Sequence, residues 1–362
     1  MLETWLCHGC SISNHIADEF MSGSERPEQM ARTTLSDTQV RELLEDHGVA
    51  GREHVQLAAD HDAGVTRIRS FDRDIHIADL IVSLPYPWPG WYAVQAAGNR
   101  LAAAGAAATH LSARILLPEQ ADCTPTDESL RAELLHACST FFIKPTHIET
   151  ILLPQLNSPL LLVTALGEQM PAQEREEAEE TAGDQIVLIG PHGLETAALL
   201  AARHAGPLAR AYDSSFVGRC RDFVRFPGLS ALRLLALCRA QEGVSHVVLV
   251  GEDGVLGAAH KLAEKLACAS IIHEGALTPE PEAKLICDHF GLDPMHAPSE
   301  GNVLVVVGNE VADTFVQTML AMKIPAVIIG ELKDGGSHLL DKDAYSVRLP
   351  APNRKPLLKL LQ

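Results

Sequence analysis

The sequence predicts a two-domain α/β protein. With 362 residues and 46% hydrophobic content, the chain is long enough to bury a large core and favours two domains over one. Short strand-like apolar runs alternate with amphipathic helical patterns, as in layered α/β folds. Residues 171–184 are polar and acidic without apolar periodicity, which indicates a linker between the two halves. An exposed helix inside one domain is the alternative reading of this stretch.

The first half predicts a helix at residues 36–47, where Ser36 and Gln39 form a capping box and Gly48 stops the helix. Residues 1–35 are irregular in pattern and predict a flexible N-terminal segment. The first domain therefore spans residues 36–170. Its strands are expected at residues 65–69, 75–84, 112–117, 148–153 and 159–165, and its further helices at residues 93–104 and 125–142.

The second half, residues 185–362, predicts a layered α/β domain. Its strands are expected at residues 185–189, 246–250, 302–307 and 326–329, and its helices at residues 193–204, 229–241, 255–267, 281–290 and 311–322. The run GEDGVLG at residues 251–257 predicts a tight turn from strand to helix, because Glu252 and Asp253 would oppose a bound anion there.

Charge and apolar runs exclude several classes of partner. The formal net charge is -18, and no Lys/Arg-rich patch interrupts the acidic pattern, so neither nucleic acid nor a membrane surface is an expected partner. The N-terminus lacks the pattern of a signal peptide, and no apolar run approaches the length of a membrane span. We therefore expect a soluble, cytoplasmic protein. Six scattered cysteines are typical of reduced core thiols.

Cys7 and Cys10 form the one local cysteine pair, in the run CHGC. Two thiols in this spacing could exchange disulfides, carry sulfur, or bind zinc or another metal together with His8 or His15. A four-ligand zinc site normally needs a second pair, which the sequence lacks. An ordinary terminal segment therefore stays open as the alternative.

Several motifs resemble those of the AIR synthase (PurM-like) superfamily. The run HDAGV at residues 61–65 is similar to its Asp-Asp-Ala-(Ala/Gly)-Val motif, Phe71-Asp72 to its Thr-Asp, and NRLAAAGA at residues 99–106 to its Asn-Asp-(Leu/Val)-Ala-x-x-Gly-Ala. In the second half, AGDQIVLIG at residues 182–190 and CDHFGLDPMHAPSEG at residues 287–301 look most like the HypE type of hydrogenase-maturation protein.

The resemblance implies an ATP site with magnesium ions. Asp62 and Asp72 would be magnesium ligands, and both would lie with Asn99 and Arg100 near the phosphates, since hard cations and metal-bridged phosphates require converging carboxylates. A purely structural role in turns stays open as the alternative for both aspartates. Arg100 stands where the family has an aspartate, so it could contact a phosphate but could not ligate magnesium. The family's Gly-Asp-Thr-Lys and Asp-x-Thr-Arg-Gly-Gly signatures have no counterpart here.

The resemblance also implies a homodimer, in which the two first domains build one β-barrel. HypE-type proteins end in a cysteine that accepts a carbamoyl group, whereas this sequence ends in KPLLKLLQ, so we expect that nucleophile to be absent.

The sequence and the resemblance together leave three alternative functions open. The first is a HypE-like factor that binds a nucleotide in metallocofactor maturation or biosynthesis, with protein partners in a complex. The second is a catalytically inactive scaffold or regulator. The third is a sulfur or metal carrier that uses Cys7 and Cys10.

Overall fold

The fold is described by a computed structural model over residues 56–60, 65–70, 73–83, 86–119, 127–170, 182–266, 268–342, 345–353 and 355–361. The helix expected at residues 36–47 lies outside these ranges, as does most of the acidic linker. Two mixed sheets, one on each side of that linker, share one compact unit. Domain limits at residues 170 and 185 stay a prediction. Within the described ranges, no helix is long and apolar enough to cross a membrane.

The first sheet has six strands in the order β1-β2-β3-β6-β4-β5, and only the β4–β5 pair is parallel. Its elements are β1 (Gln56–Asp60), β2 (Val65–Ser70), β3 (Arg73–Ser83), α1 (Pro89–Ala103), β4 (Ala106–Leu117), α2 (Asp127–Thr140), β5 (Lys144–Leu152) and β6 (Leu160–Gln169). In β6, buried Leu161, Val163 and Ala165 alternate with more exposed residues, so one face packs on the core. A single copy forms an open sheet; the dimeric barrel stays a prediction.

The second sheet has seven strands in the order β13-β12-β9-β11-β7-β10-β8, with β12–β9 as its parallel pair. Its elements are β7 (Gln185–Ile189), α3 (Leu194–Arg203), α4 (Ala205–Ala211), α5 (Ser214–Asp222), α6 (Leu232–Arg239), β8 (Val244–Val250), α7 (Gly254–Lys265), β9 (Ala269–His273), α8 (Pro281–Phe290), β10 (Asn302–Val307), α9 (Asn309–Ala321), β11 (Ala326–Lys333), β12 (Leu339–Asp341), β13 (Ser346–Arg348) and α10 (Lys355–Leu361). Every residue of β10 is buried, as expected for a central strand covered on both faces.

Helix α1 lies between the two sheets. It packs on β3, β6 and α2 in the first half and on α6 and β8 in the second. All its residues except Arg100 and Ala103 are buried, which its small Ala and Gly side chains allow. Arg239 of α6 caps its C-terminal end by donating to the carbonyls of Ala102 and Ala103. Polar residues of α1 are therefore placed against the second half of the chain.

The described cysteines behave as core thiols, as expected for the scattered ones. Cys138, Cys220, Cys238 and Cys287 are buried and free, and Cys268 is half-buried and free. Burial raises the pKa of Cys138 to about 11 and that of Cys220 to about 12. Such thiols stay protonated and unreactive at neutral pH. Cys7, Cys10 and Cys123 lie outside the described residues.

Gly301 precedes β10 at a point where no other residue fits. Its φ is +91°, and a Cβ there would lie 2.9 Å from the backbone of Leu229. We predict that Gly301→Ala lowers the free energy of unfolding by about 3 kcal/mol, because a left-handed conformation alone costs roughly 1–2 kcal/mol and the backbone clash adds to it. Urea denaturation measures the difference.

Gly291→Ala is the matched control. Gly291 also has a positive φ, +63°, but no atom lies within 4 Å of the position of its Cβ. In Gly291→Ala, the free energy of unfolding should fall only by the cost of the left-handed conformation, about 1 kcal/mol. Equal losses in the two variants would show that the contact with Leu229 contributes nothing.

Candidate functional site

Asn99, one of the predicted site residues, is fully buried near the C-terminal end of α1. Its Nδ2 donates to the carbonyl of Leu229 and to Oε1 of Glu300, both at 2.7 Å. Its Oδ1 accepts from the backbone N–H of Ala231, also at 2.7 Å. The carboxamide thus uses both donors and its acceptor inside the protein.

Gln95 lies one turn earlier on the same face of α1 and holds the same segment of the second half. Its Nε2 donates to the carbonyl of Val224 at 3.0 Å, and its Oε1 accepts from the N–H of Leu229 at 2.6 Å. Both side chains therefore satisfy peptide groups between residues 224 and 231 that would otherwise be buried without partners.

Glu195 and Glu300 form the centre of a buried acidic cluster, which we define as these two residues with Tyr86 and Tyr92. Oε2 of Glu195 accepts from the backbone N–H of Glu300 at 2.8 Å, and its Oε1 accepts from the hydroxyl of Tyr86 at 2.8 Å. The rings of Tyr86 and Tyr92 stack with centroids 4.1 Å apart. Two carboxyl groups thus share an apolar surrounding with two phenols.

Burial shifts the protonation of the buried acidic cluster. The pKa of Glu300 is raised to about 8, first by desolvation and then by the negative charge of Glu195, although the Asn99 hydrogen bond opposes the shift. Desolvation also raises the pKa of Glu195. Glu300 consequently holds a proton near neutral pH and can donate or accept one there.

The side chain of Arg100, the next predicted site residue, extends from a different side of α1 than that of Asn99. Its Nη1 donates to the carbonyl of Asp79 at 2.9 Å, and its Nη2 contacts Oε1 of Glu252 at 3.4 Å. Glu252 lies in the turn between β8 and α7, which confirms the tight strand-to-helix turn predicted there. The guanidinium is therefore tied firmly to one backbone carbonyl and loosely to one carboxylate.

Of the predicted site residues, the structure describes Asn99 and Arg100, which are adjacent at the end of α1. Asp62, Asp72, Cys7 and Cys10 lie outside the described residues, so their magnesium, zinc and thiol roles stay predictions. In the described part of the chain, no cluster of three His, Cys, Asp or Glu residues could hold a metal ion.

Sequence reasoning missed the residues that complete the buried acidic cluster. In the sequence, Glu300 belongs to the run at residues 287–301 that resembles the HypE type, but no site role is predicted for Glu300, Glu195 or the two tyrosines. A signal was available for Glu195, because a lone acid in the apolar run GLETAALLAA falls on a helix that is buried on most sides. The tyrosines offered no comparable signal.

Comparisons with known proteins define the class. Residues 181–341 match the family described as AIR synthase related protein, C-terminal domain. This segment is similar to that family, and the fold of the chain is similar to that of the solved HypE structures described below, as the sequence motifs predicted.

A curated relative spans nearly the whole chain. It is carbamoyl dehydratase HypE of Escherichia coli (strain K12), 24% identical over 361 residues, which cover 96% of this chain and 99% of the relative. The crystal structure of E. coli HypE, a hydrogenase maturation protein, matches with a TM-score of 0.59 and 19% identity over 94% of this chain and 98% of that one.

Two further HypE structures are similar in fold. One is a HypE in complex with ATP, with a TM-score of 0.58 and 17% identity over 80% of this chain and 87% of that one. The other is a HypE–HypF complex, with a TM-score of 0.59 and 17% identity over 86% of this chain and 99% of its counterpart.

The raised pKa of Glu300 predicts a pH-dependent stability difference between the protein and Glu300→Gln. The folded state holds this proton more tightly than the unfolded state, so the contribution of Glu300 is full below the unfolded pKa near 4.5 and is lost as the pH rises to about 8. Glu300→Gln keeps the oxygen that accepts from Asn99 but cannot ionise. The variant should therefore gain stability relative to the parent across this window, by at most about 1.4 kcal/mol per pH unit.

Urea denaturation at several pH values between 4.5 and 8 measures the difference. Glu310→Gln, which removes an exposed carboxyl at the start of α9, is the matched control and should show a much smaller trend. A difference between parent and Glu300→Gln that stays constant over the whole window would contradict the raised pKa.

Proposed function

We propose that this chain is a HypE-like factor that binds a nucleotide and acts with a protein partner in the maturation of a metallocofactor or in a related biosynthesis. The full-length relative is named carbamoyl dehydratase HypE, and HypE structures similar to this one include an ATP complex and a complex with HypF. They support the nucleotide and the protein partner by analogy of fold.

One observation carries the proposal. The motif residues Asn99 and Glu300, separated by 201 positions in the sequence, contact each other directly at 2.7 Å. The contact joins the two halves of the chain that resemble the superfamily, and it does so at a carboxyl group whose pKa is about 8. Because such a group can move a proton at neutral pH, the meeting point of the two halves is suited to acid–base chemistry.

Among the described residues, Arg100 is the side chain that could contact the phosphates of a nucleotide. Arg100 could exchange its 3.4 Å contact with Glu252 for a phosphate oxygen while its other nitrogen stays on the carbonyl of Asp79. Asn99 does not fit this role in the present arrangement, because its donors are already engaged. A bound nucleotide would supply the phosphoryl group of an ATP-dependent reaction, and the chain's own contribution would be charge from Arg100 and a proton held on Glu300.

A second candidate function is a catalytically inactive scaffold or regulator. The carboxylate of Glu252 beside Arg100 favours it, since a triphosphate at Arg100 would meet a negative side chain, and the amide of the adjacent Asn99 is already engaged. Under this function the polar residues at the end of α1 serve only to join the two halves.

Calorimetric titration of the purified full chain with ATP and magnesium tests both functions. We expect saturable binding that Arg100→Ala weakens by about tenfold or more, the effect of losing one charge-assisted hydrogen bond. Asp62→Ala, which removes a predicted magnesium ligand, should weaken it as well. Arg210→Ala, which removes an exposed guanidinium from α4, should leave the affinity unchanged.

If ATP, ADP and AMP all fail to bind in the presence of magnesium, the nucleotide-binding proposal is contradicted and the scaffold function is favoured. Turnover of ATP that Asp62→Ala abolishes would exclude the scaffold. The thiol-carrier function rests on Cys7 and Cys10 alone, and it stays a prediction for residues outside the described ranges.

A further inference from the structure

A cavity of about 340 Å³ opens between α7, the loop after β11 and the end of β13, away from the buried acidic cluster. We call it the histidine cavity, and we define it by His260 of α7, Ser337 and His338 of the loop, and Arg348 of β13. At roughly 30 Å³ for each water molecule, it has the volume of about ten waters, so it can hold more than a single inorganic ion.

The described lining of the histidine cavity carries one guanidinium, two imidazoles and one hydroxyl. Arg348, His260 and His338 are its ionisable side chains, and no carboxylate belongs to the described lining. This composition contrasts with the formal net charge of -18 for the whole chain. A concave surface that presents a guanidinium and further hydrogen-bond donors, with no carboxylate in its described lining, is suited to an anion.

Main-chain pairing fixes the positions of Arg348 and His338. The N–H of Leu349 donates to the carbonyl of His338 at 2.8 Å, which holds the end of β13 beside the start of β12. Arg348 at the end of β13 and His338 just before β12 are thereby kept close together. In the described chain, Arg348 has neither an ion pair nor a side-chain hydrogen bond, so its five N–H donors are available to a ligand.

The two imidazoles are oriented by groups behind them. Nε2 of His260 donates to the carbonyl of Pro350 at 2.7 Å, and Nδ1 of His338 shares a hydrogen bond of 2.9 Å with Oγ of Ser270. One ring nitrogen of each histidine remains for a ligand. Burial, and after it the neighbouring His260, lowers the pKa of His338.

We propose that the histidine cavity binds the phosphate group of a small phosphate monoester. A phosphate dianion offers three terminal oxygens, and the cavity presents a guanidinium fork, two imidazoles and the Ser337 hydroxyl. The remaining volume accommodates the organic part of the ester. The histidine cavity is separate from the Arg100 region. This proposal therefore does not depend on the proposed nucleotide binding.

The test is a titration of the full chain, ¹⁵N-labelled at histidine, with ribose 5-phosphate, inorganic phosphate and acetate in turn, at pH 6.5 and without nucleotide. Imidazole NMR signals report which histidines respond. We expect ribose 5-phosphate to shift the signals of His260 and His338 in a saturable way, more tightly than inorganic phosphate and much more tightly than acetate.

Three variants make the test specific. Arg348→Ala should weaken ribose 5-phosphate binding about tenfold to a hundredfold, because a charge-assisted hydrogen bond is lost. Arg210→Ala should leave it unchanged, since this exposed arginine of α4 lies outside the cavity. His338→Gln replaces the imidazole with a side chain of similar size and should also weaken binding of ribose 5-phosphate. Because this variant lacks the His338 signal, its affinity is measured by calorimetry.

The proposal is overturned if no saturable shift occurs, if acetate or inorganic phosphate binds as tightly as the monoester, or if Arg348→Ala binds as the parent does. Far-UV circular dichroism of each variant establishes that it is folded before its affinity is compared.

Discussion

The carboxamide of Asn99 is the interaction on which the joining of the two halves depends. It satisfies two backbone groups, at Leu229 and Ala231, and one carboxyl oxygen, of Glu300, all in a region without solvent. A buried peptide group that loses its partner costs about 1–3 kcal/mol, so each of these bonds constrains the geometry more strongly than its net energy indicates. The position of α1, the segment before α6 and the start of β10 are coupled through this one side chain. Gln95 repeats the arrangement one turn earlier and prevents rotation of the helix about that point.

Hydrogen bonds also explain why the carboxyl groups of Glu195 and Glu300 can lie in the interior. Glu195 receives hydrogen bonds from Tyr86 and from the backbone of Glu300, while Glu300 receives one from Asn99. Low local polarity penalises a second negative charge, so burial raises the pKa of both carboxyl groups, and Glu300, with a pKa of about 8, keeps a proton near neutral pH. Arg100 and Glu252 lie at the edge of this region, where their side chains are more exposed and form an ion pair with a long 3.4 Å contact. The end of α1 therefore combines a buried protonated carboxyl group with a charged margin.

Local patterns allowed several elements to be predicted to the residue. Strands β7 and β10 are continuous apolar runs, and α8 is bounded by Pro281 at its start and Gly291 after its end. Elements without such patterns were missed: β12 and β13 have three residues each, and α5 has the polar sequence SSFVGRCRD. For the site, motif resemblance located Asn99 and Arg100 and indicated the superfamily. It could not show that Asn99 would meet Glu300, or that Glu195 would lie beside it, because these contacts depend on tertiary packing between distant segments.

The engagement of Asn99 has a consequence for how motif likeness is interpreted. A side chain that bridges two halves of the fold is needed for packing whether or not a ligand binds beside it. Its presence in a sequence therefore reports intact folding, whereas shared chemistry must be judged from positions that have no structural role.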